Sequence, residues 1–112
     1  MRGEHAMYDV KESDWKLYRS RIADWQENYM ERLCKEYIRL LASDKNASDR
    51  FWELFDRIKE DSTRTGVVAR NARSSMVGNL VHLMQEGAIS EEDLAGFSDE
   101  LIERVKFLVT VS

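Results

Sequence analysis

SDWKLYRSRIADWQENYMERLCKEYIRLL, residues 13–41, decides the fold. Within it Trp15, Tyr18, Ile22, Trp25, Tyr29, Leu33, Tyr37 and Leu40 recur at steps of three or four. That spacing is one face of an α-helix, whose turn takes about 3.6 residues. Ser13 stands where its hydroxyl can accept a hydrogen bond from a free first-turn amide. After Met30 the face widens, because Cys34, Ile38 and Leu41 add a second apolar row. The C-terminal half of the helix is therefore expected to be enclosed more completely than the N-terminal half.

Downstream, the same period recurs in shorter segments. Ser43-Asp44-Lys45-Asn46 is a polar break. Ser48 caps a second helix, Asp49 to about Thr63, with Phe51, Trp52, Leu54, Phe55 and Ile58 as its apolar face. A third helix is expected from about Val67 to Glu86, with Val68, Ala72, Met76, Leu80, Leu83 and Met84 inward and Gly87 as a left-handed stop. In Ile89-Ser90-Glu91-Glu92-Asp93-Leu94 a capping serine, an acid at the third helical position and a staple spacing mark a short helical turn. Gly96 closes that turn, and Phe97-Ser98-Asp99-Glu100-Leu101-Ile102 opens a last helix to about Val109. Its inward residues are Leu101, Ile102, Val105, Phe107 and Leu108. Proline is absent and β-branched residues are few, which excludes an all-β domain. The expected fold is all-α: a compact bundle of four main helices, with a long first helix and a short extra helical turn before the last. Residues 1–12 read as a partly ordered leader docked through Met7, Tyr8 and Val10, and residues 13–112 as a single helical domain.

With 17 Lys+Arg against 21 Asp+Glu, the net charge of −4 argues against a generally basic nucleic-acid binder. No apolar run approaches the ~20 residues of a membrane helix. A single cysteine forms no disulfide within the chain, and no secretory signal is visible, so the cytoplasm is the expected compartment.

Enzyme signatures are missing: no phosphate-cradling glycine loop, no Cys or His pair at metal spacing, no nucleophile elbow. The reading is a non-enzyme with no metal and no cofactor. Cys34, in an apolar row, reads as a small buried hydrophobe. His82 on the third helix reads as a boundary residue. Arg70, Asn71, Arg73 and Ser74 are the candidates for anion or nucleic-acid contact, because such side chains on a recognition helix meet phosphates and base edges. Ser74 and Gly78, four apart, equally suit the close approach of a neighbouring helix. A third account pairs Arg70 and Arg73 with the acid-rich segment Gly87–Ser112, which holds Glu91, Glu92, Asp93, Asp99, Glu100 and Glu103 against Arg104 and Lys106.

Ser13-Asp14-Trp15, Trp25-Gln26-Glu27, Arg73-Ser74-Ser75-Met76, Glu86-Gly87-Ala88-Ile89 and Phe97-Ser98-Asp99-Glu100-Leu101 resemble segments of a small bacterial family of all-helical cytosolic proteins. The resemblance covers about Ser13 to Phe107. Members of that family are sometimes machine-labelled multidrug transporters. The resemblance implies a bacterial cytosolic origin and assigns no chemistry.

The function expected from these observations is protein interaction or self-association, the partner being an unknown protein or a second copy. A small regulator binding nucleic acid through the third helix is the alternative. At 1.5 Å per residue the first helix spans about 42 Å, longer than the ~34 Å diameter of an ordinary domain of this size. One end should then overhang. The narrower N-terminal stripe of Trp15, Tyr18, Ile22 and Trp25 is the expected interface of a homodimer.

Overall fold

The computed structural model describes residues 9–111. Four α-helices follow one another: α1 Glu12–Leu41, α2 Ala47–Asp61, α3 Met76–Gln85 and α4 Asp99–Val111, with a 3-10 turn Glu91–Leu94 before α4. The fold is all-α, with the long first helix and the short extra turn that the sequence anticipates. Residues 1–8, including Met7 and Tyr8 of the expected leader, lie outside the described chain. Val10 packs against the core.

The molecule measures 58 × 27 × 23 Å, and α1 is its spine. Onto the N-terminal half of α1 pack α3, the 3-10 turn and α4, forming a body. Its core joins Tyr18, Ile22 and Trp25 to Met76, Leu80, Leu83, Ile89, Leu94, Phe97, Leu101 and Val105. Onto the C-terminal half packs α2 alone, forming a hairpin. The end that lacks cover is therefore the C-terminal one. The expected interface residues Tyr18, Ile22 and Trp25 are buried, and Trp15 is half-buried with its ring stacked on Tyr18 at 5.9 Å. They are core because three later elements fold back over this half of the helix.

Local chemistry fixes the body. Gly87 (φ 79°) stops α3: its amide reaches the Met84 carbonyl at 3.1 Å, while the Ala88 amide reaches Leu83 at 2.8 Å. Those two bonds form the Schellman pattern, which needs a left-handed residue. Ser90 and Asp93 form the anticipated reciprocal capping box. Arg21 donates to the carbonyls of Asp93 (3.1 Å) and Ala95 (2.6 Å), and its guanidinium lies over the Phe97 ring. Asp14 is almost fully buried and accepts from the Ser98 amide at 2.8 Å and the Ser98 hydroxyl at 2.6 Å. The Ser98 hydroxyl in turn accepts from the Leu101 amide at 3.3 Å, in the first turn of α4. A buried carboxylate so bonded is satisfied, and it ties the start of α1 to the start of α4.

Two helix starts differ in detail from the sequence reading. Neither Lys11 before α1 nor Asn46 before α2 makes a side-chain cap, and Ser13 and Ser48 lie inside their helices.

Candidate functional site

The larger correction concerns the third helix. It begins at Met76, after a 3-10 turn Arg73–Ser75, and not at Val67. The chain from Val68 to Ala72 takes no regular structure, and its polar groups are committed elsewhere. The Tyr18 hydroxyl donates to Asn71 Oδ1 at 2.9 Å and accepts from Asn79 Nδ2 at 2.9 Å, while Nδ2 also donates to the Arg70 carbonyl at 2.9 Å. Burial pushes the Tyr18 phenol up, opposed by the Asn79 hydrogen bond. Arg73 pairs with Glu12 of α1 at 2.6 Å, not with the acid-rich C-terminal segment, whose ion pairs include Glu100 with Lys11 and Glu91 with Lys106. Arg70, Asn71, Arg73 and Ser74 thus share no helix face that could enter a groove. Ser74 and Gly78 are exposed, and a Cβ at Gly78 would meet nothing within 4 Å. Among the described residues no helix packs closely there. His82 is also exposed.

The sequence places Cys34, Ile38 and Leu41 inside, and the structure places them outside. All three are exposed, Ile38 at 65%. The reason lies in how α2 turns. Leu54, Arg57 and Asp61 point toward α1, as the bonds of Arg57 to Glu36 (2.6 Å) and of the Tyr37 hydroxyl to Asp61 (2.6 Å) record. Phe51, Trp52, Phe55 and Ile58, four of the five residues expected inward, face water at 61, 58, 46 and 46% exposure. Their rings stack edge to face, Phe51 on Trp52 at 5.0 Å and Trp52 on Phe55 at 5.6 Å. Between the helices an apolar groove of about 210 Å³ is lined by Met30, Cys34, Ile58 and Val67 among others. Ile38, Leu41, Phe51, Trp52, Phe55 and Ile58 therefore form the open apolar face of the hairpin. The sequence shows every one of these residues as apolar. The polarity of Arg50, Arg57 and Asp61 on the opposing side of α2 was the signal for its orientation.

A second feature sits where hairpin and body meet. A polar cleft of about 390 Å³ is lined by Arg32, Arg57 and Arg64 together with Glu36, Asp61 and Glu86. These charges already serve one another. Asp61, nearly buried at the end of α2, accepts from Tyr37 and from Arg64 Nε at 3.2 Å, with Arg57 at 3.6 Å. Burial and the Asp61 carboxylate push the Tyr37 phenol up to about 12. The Glu86 carboxylate accepts the backbone amides of Thr65 and Gly66, both at 2.9 Å. Gln26 donates to the Thr65 carbonyl at 3.0 Å, and Arg32 to the Gly87 carbonyl at 2.5 Å. Gly66 lies under the Tyr29 ring, where a Cβ would come within 2.3 Å of Cδ2. The cleft is a lock that holds the connecting chain against both halves. Neither it nor any other set of three or more His, Cys, Asp or Glu among the described residues is placed to hold a metal ion.

Among the described residues no helix is long and apolar enough to cross a membrane. No protein-family model, no curated protein and no solved structure matches the chain.

Proposed function

We propose that the protein is a non-catalytic interaction module that docks onto another polypeptide through the open face of its hairpin. One observation carries this reading: three aromatic and three large aliphatic side chains stand in water on a helix pair whose seam is closed by the bonds of Arg57 to Glu36 and of Tyr37 to Asp61. Isolated exposed apolar residues are ordinary, but a contiguous set of this size marks a contact surface. Phe and Trp are also among the residues that dominate the centres of protein interfaces. The body then serves as a mount, held to the hairpin by the spine helix and the polar lock. The Arg70, Asn71, Arg73 and Ser74 segment lends no weight to a nucleic-acid regulator, since Arg73 and Asn71 are engaged within the chain.

Photocrosslinking in cells tests the reading. A benzoylphenylalanine in place of Phe51 should give a discrete covalent adduct with a polypeptide, and the same group in place of the exposed Glu103 on α4 should not. No adduct at Phe51, or equal labelling from both positions, would overturn it.

A further inference from the structure

The described residues of the chain leave the hairpin face uncovered. From Glu12 to Ile38 the spine rises about 39 Å. Val10 is already packed on the body, at the far end of the spine from the aromatic cluster.

The size and form of the face suit a particular partner. At about 200 Å² for a fully exposed ring, Phe51, Trp52 and Phe55 leave roughly 330 Å² in water at their observed exposures. With Ile38, Leu41 and Ile58 the face reaches on the order of 600 Å², the upper end for any patch on a monomer. A standard interface takes ~800 Å² from each partner. Met30, Cys34 and the aliphatic stem of Lys59, whose ammonium lies 5.1 Å from the centre of the Phe55 ring, border the face and can supply the difference. An antiparallel helix pair with one apolar side is also half of a four-helix bundle. A second identical half completes it under two-fold symmetry, the commonest arrangement of soluble oligomers, because one patch then serves both copies.

We infer that the occupant is a second copy of this chain, the two hairpins closing face to face into a four-helix bundle. With the axis near Phe55, Phe51 of each copy lies against Ile58 of the other, and the two bodies project from opposite ends. This inference rests on the interaction-module reading and names its partner.

Sedimentation velocity of the full chain across micromolar concentrations is the test. The expected species has twice the chain mass. Phe51→Glu combined with Phe55→Glu places four carboxylates in the closed face and should return a monomer with an unchanged far-ultraviolet helical signal. Phe107→Glu, at an equally exposed position on α4, should remain a dimer. If the double variant loses its helical signal, Ile38→Glu on the other helix of the face decides in its place. A monomeric unmodified chain, or a dimer that survives the face variants, overturns the inference. The mass of the adduct from position 51 separates the two readings. A monomer whose adduct contains a different polypeptide removes self-association and leaves the module standing. The absence of any adduct removes both.

Discussion

The two halves of α1 carry the same apolar period, yet Tyr18, Ile22 and Trp25 are sealed while Cys34, Ile38 and Leu41 stand in water. Helix propensity and periodicity do not separate them. What separates them is the number of elements that return to each half. The N-terminal half receives α3, the 3-10 turn and α4, enough to surround a stripe of large side chains. The C-terminal half receives only α2, and two helices can bury one seam between them but no more. The extra apolar row on α1 and the aromatic row on α2 both lie beside that seam. An apolar face records which side of a helix avoids water when cover exists, and among the described residues none supplies that cover here.

The contrast is sharpest for truncations. Leu80→Ala in the fully buried core should cost about 2–5 kcal/mol, whereas Phe55→Ala on the open face should cost less than about 1 kcal/mol. Thermal or denaturant unfolding measures both, at concentrations low enough that association adds nothing. Equal costs would show that the hairpin face is part of a core. Next in size is the junction. Gly66→Ala forces a Cβ against the Tyr29 ring and should cost about 1–3 kcal/mol, the usual range for overpacking, with the added amide exchange confined to the segment around residues 62–72. A neutral Gly66→Ala would mean that the lock is loose and that the halves move independently. Within the body, Asp14→Ala frees the Ser98 amide and hydroxyl and should cost about 1–2 kcal/mol in the same unfolding measurement. No such loss is expected from Asp44→Ala in the exposed loop of the hairpin.

The smallest effect is one of pH. Tyr37 keeps its proton more tightly in the folded chain, because burial and Asp61 disfavour the phenolate. Its contribution to stability is therefore complete below pH 10.0 and is lost as the pH rises toward about 12. Alkaline absorbance titration should show a late phenolate component that Tyr37→Phe removes, and the variant should lose stability less steeply across that interval. A component that persists in Tyr37→Phe would assign it to Tyr18 or Tyr29, whose phenols burial also pushes up.

Much of the body was legible because its signals are local. The stripe of α1, the Gly87 stop and the Ser90–Asp93 box each depend on residues within a few positions of one another. The start of α3 was not legible for the opposite reason. Val68 and Ala72 fit the helical period, but the Arg70 carbonyl and the Asn71 side chain are claimed by Asn79 and Tyr18 from other parts of the fold. The candidate site was half legible. Phe51, Trp52, Phe55 and Ile58 stand out in the sequence as one apolar face, yet their exposure depends on how α2 rolls about its axis. Charged Arg57 and Asp61 set that roll by finding Glu36 and Tyr37 on α1. Cys34 followed the same error, since its burial was inferred from a row that has no cover.

Because α1 runs unbroken for 30 residues through both halves, it also fixes their relative phase. Each residue of an α-helix advances the azimuth by about 100° and the axis by 1.5 Å. The direction in which the hairpin face looks, seen from the body, is thus encoded in the count of residues between Trp25 and Cys34. One alanine inserted there would swing the face by more than a quarter turn while leaving every side chain of both surfaces intact. Chain length within a single helix therefore acts as an angular coordinate, with the polar lock bridging the two halves beside it.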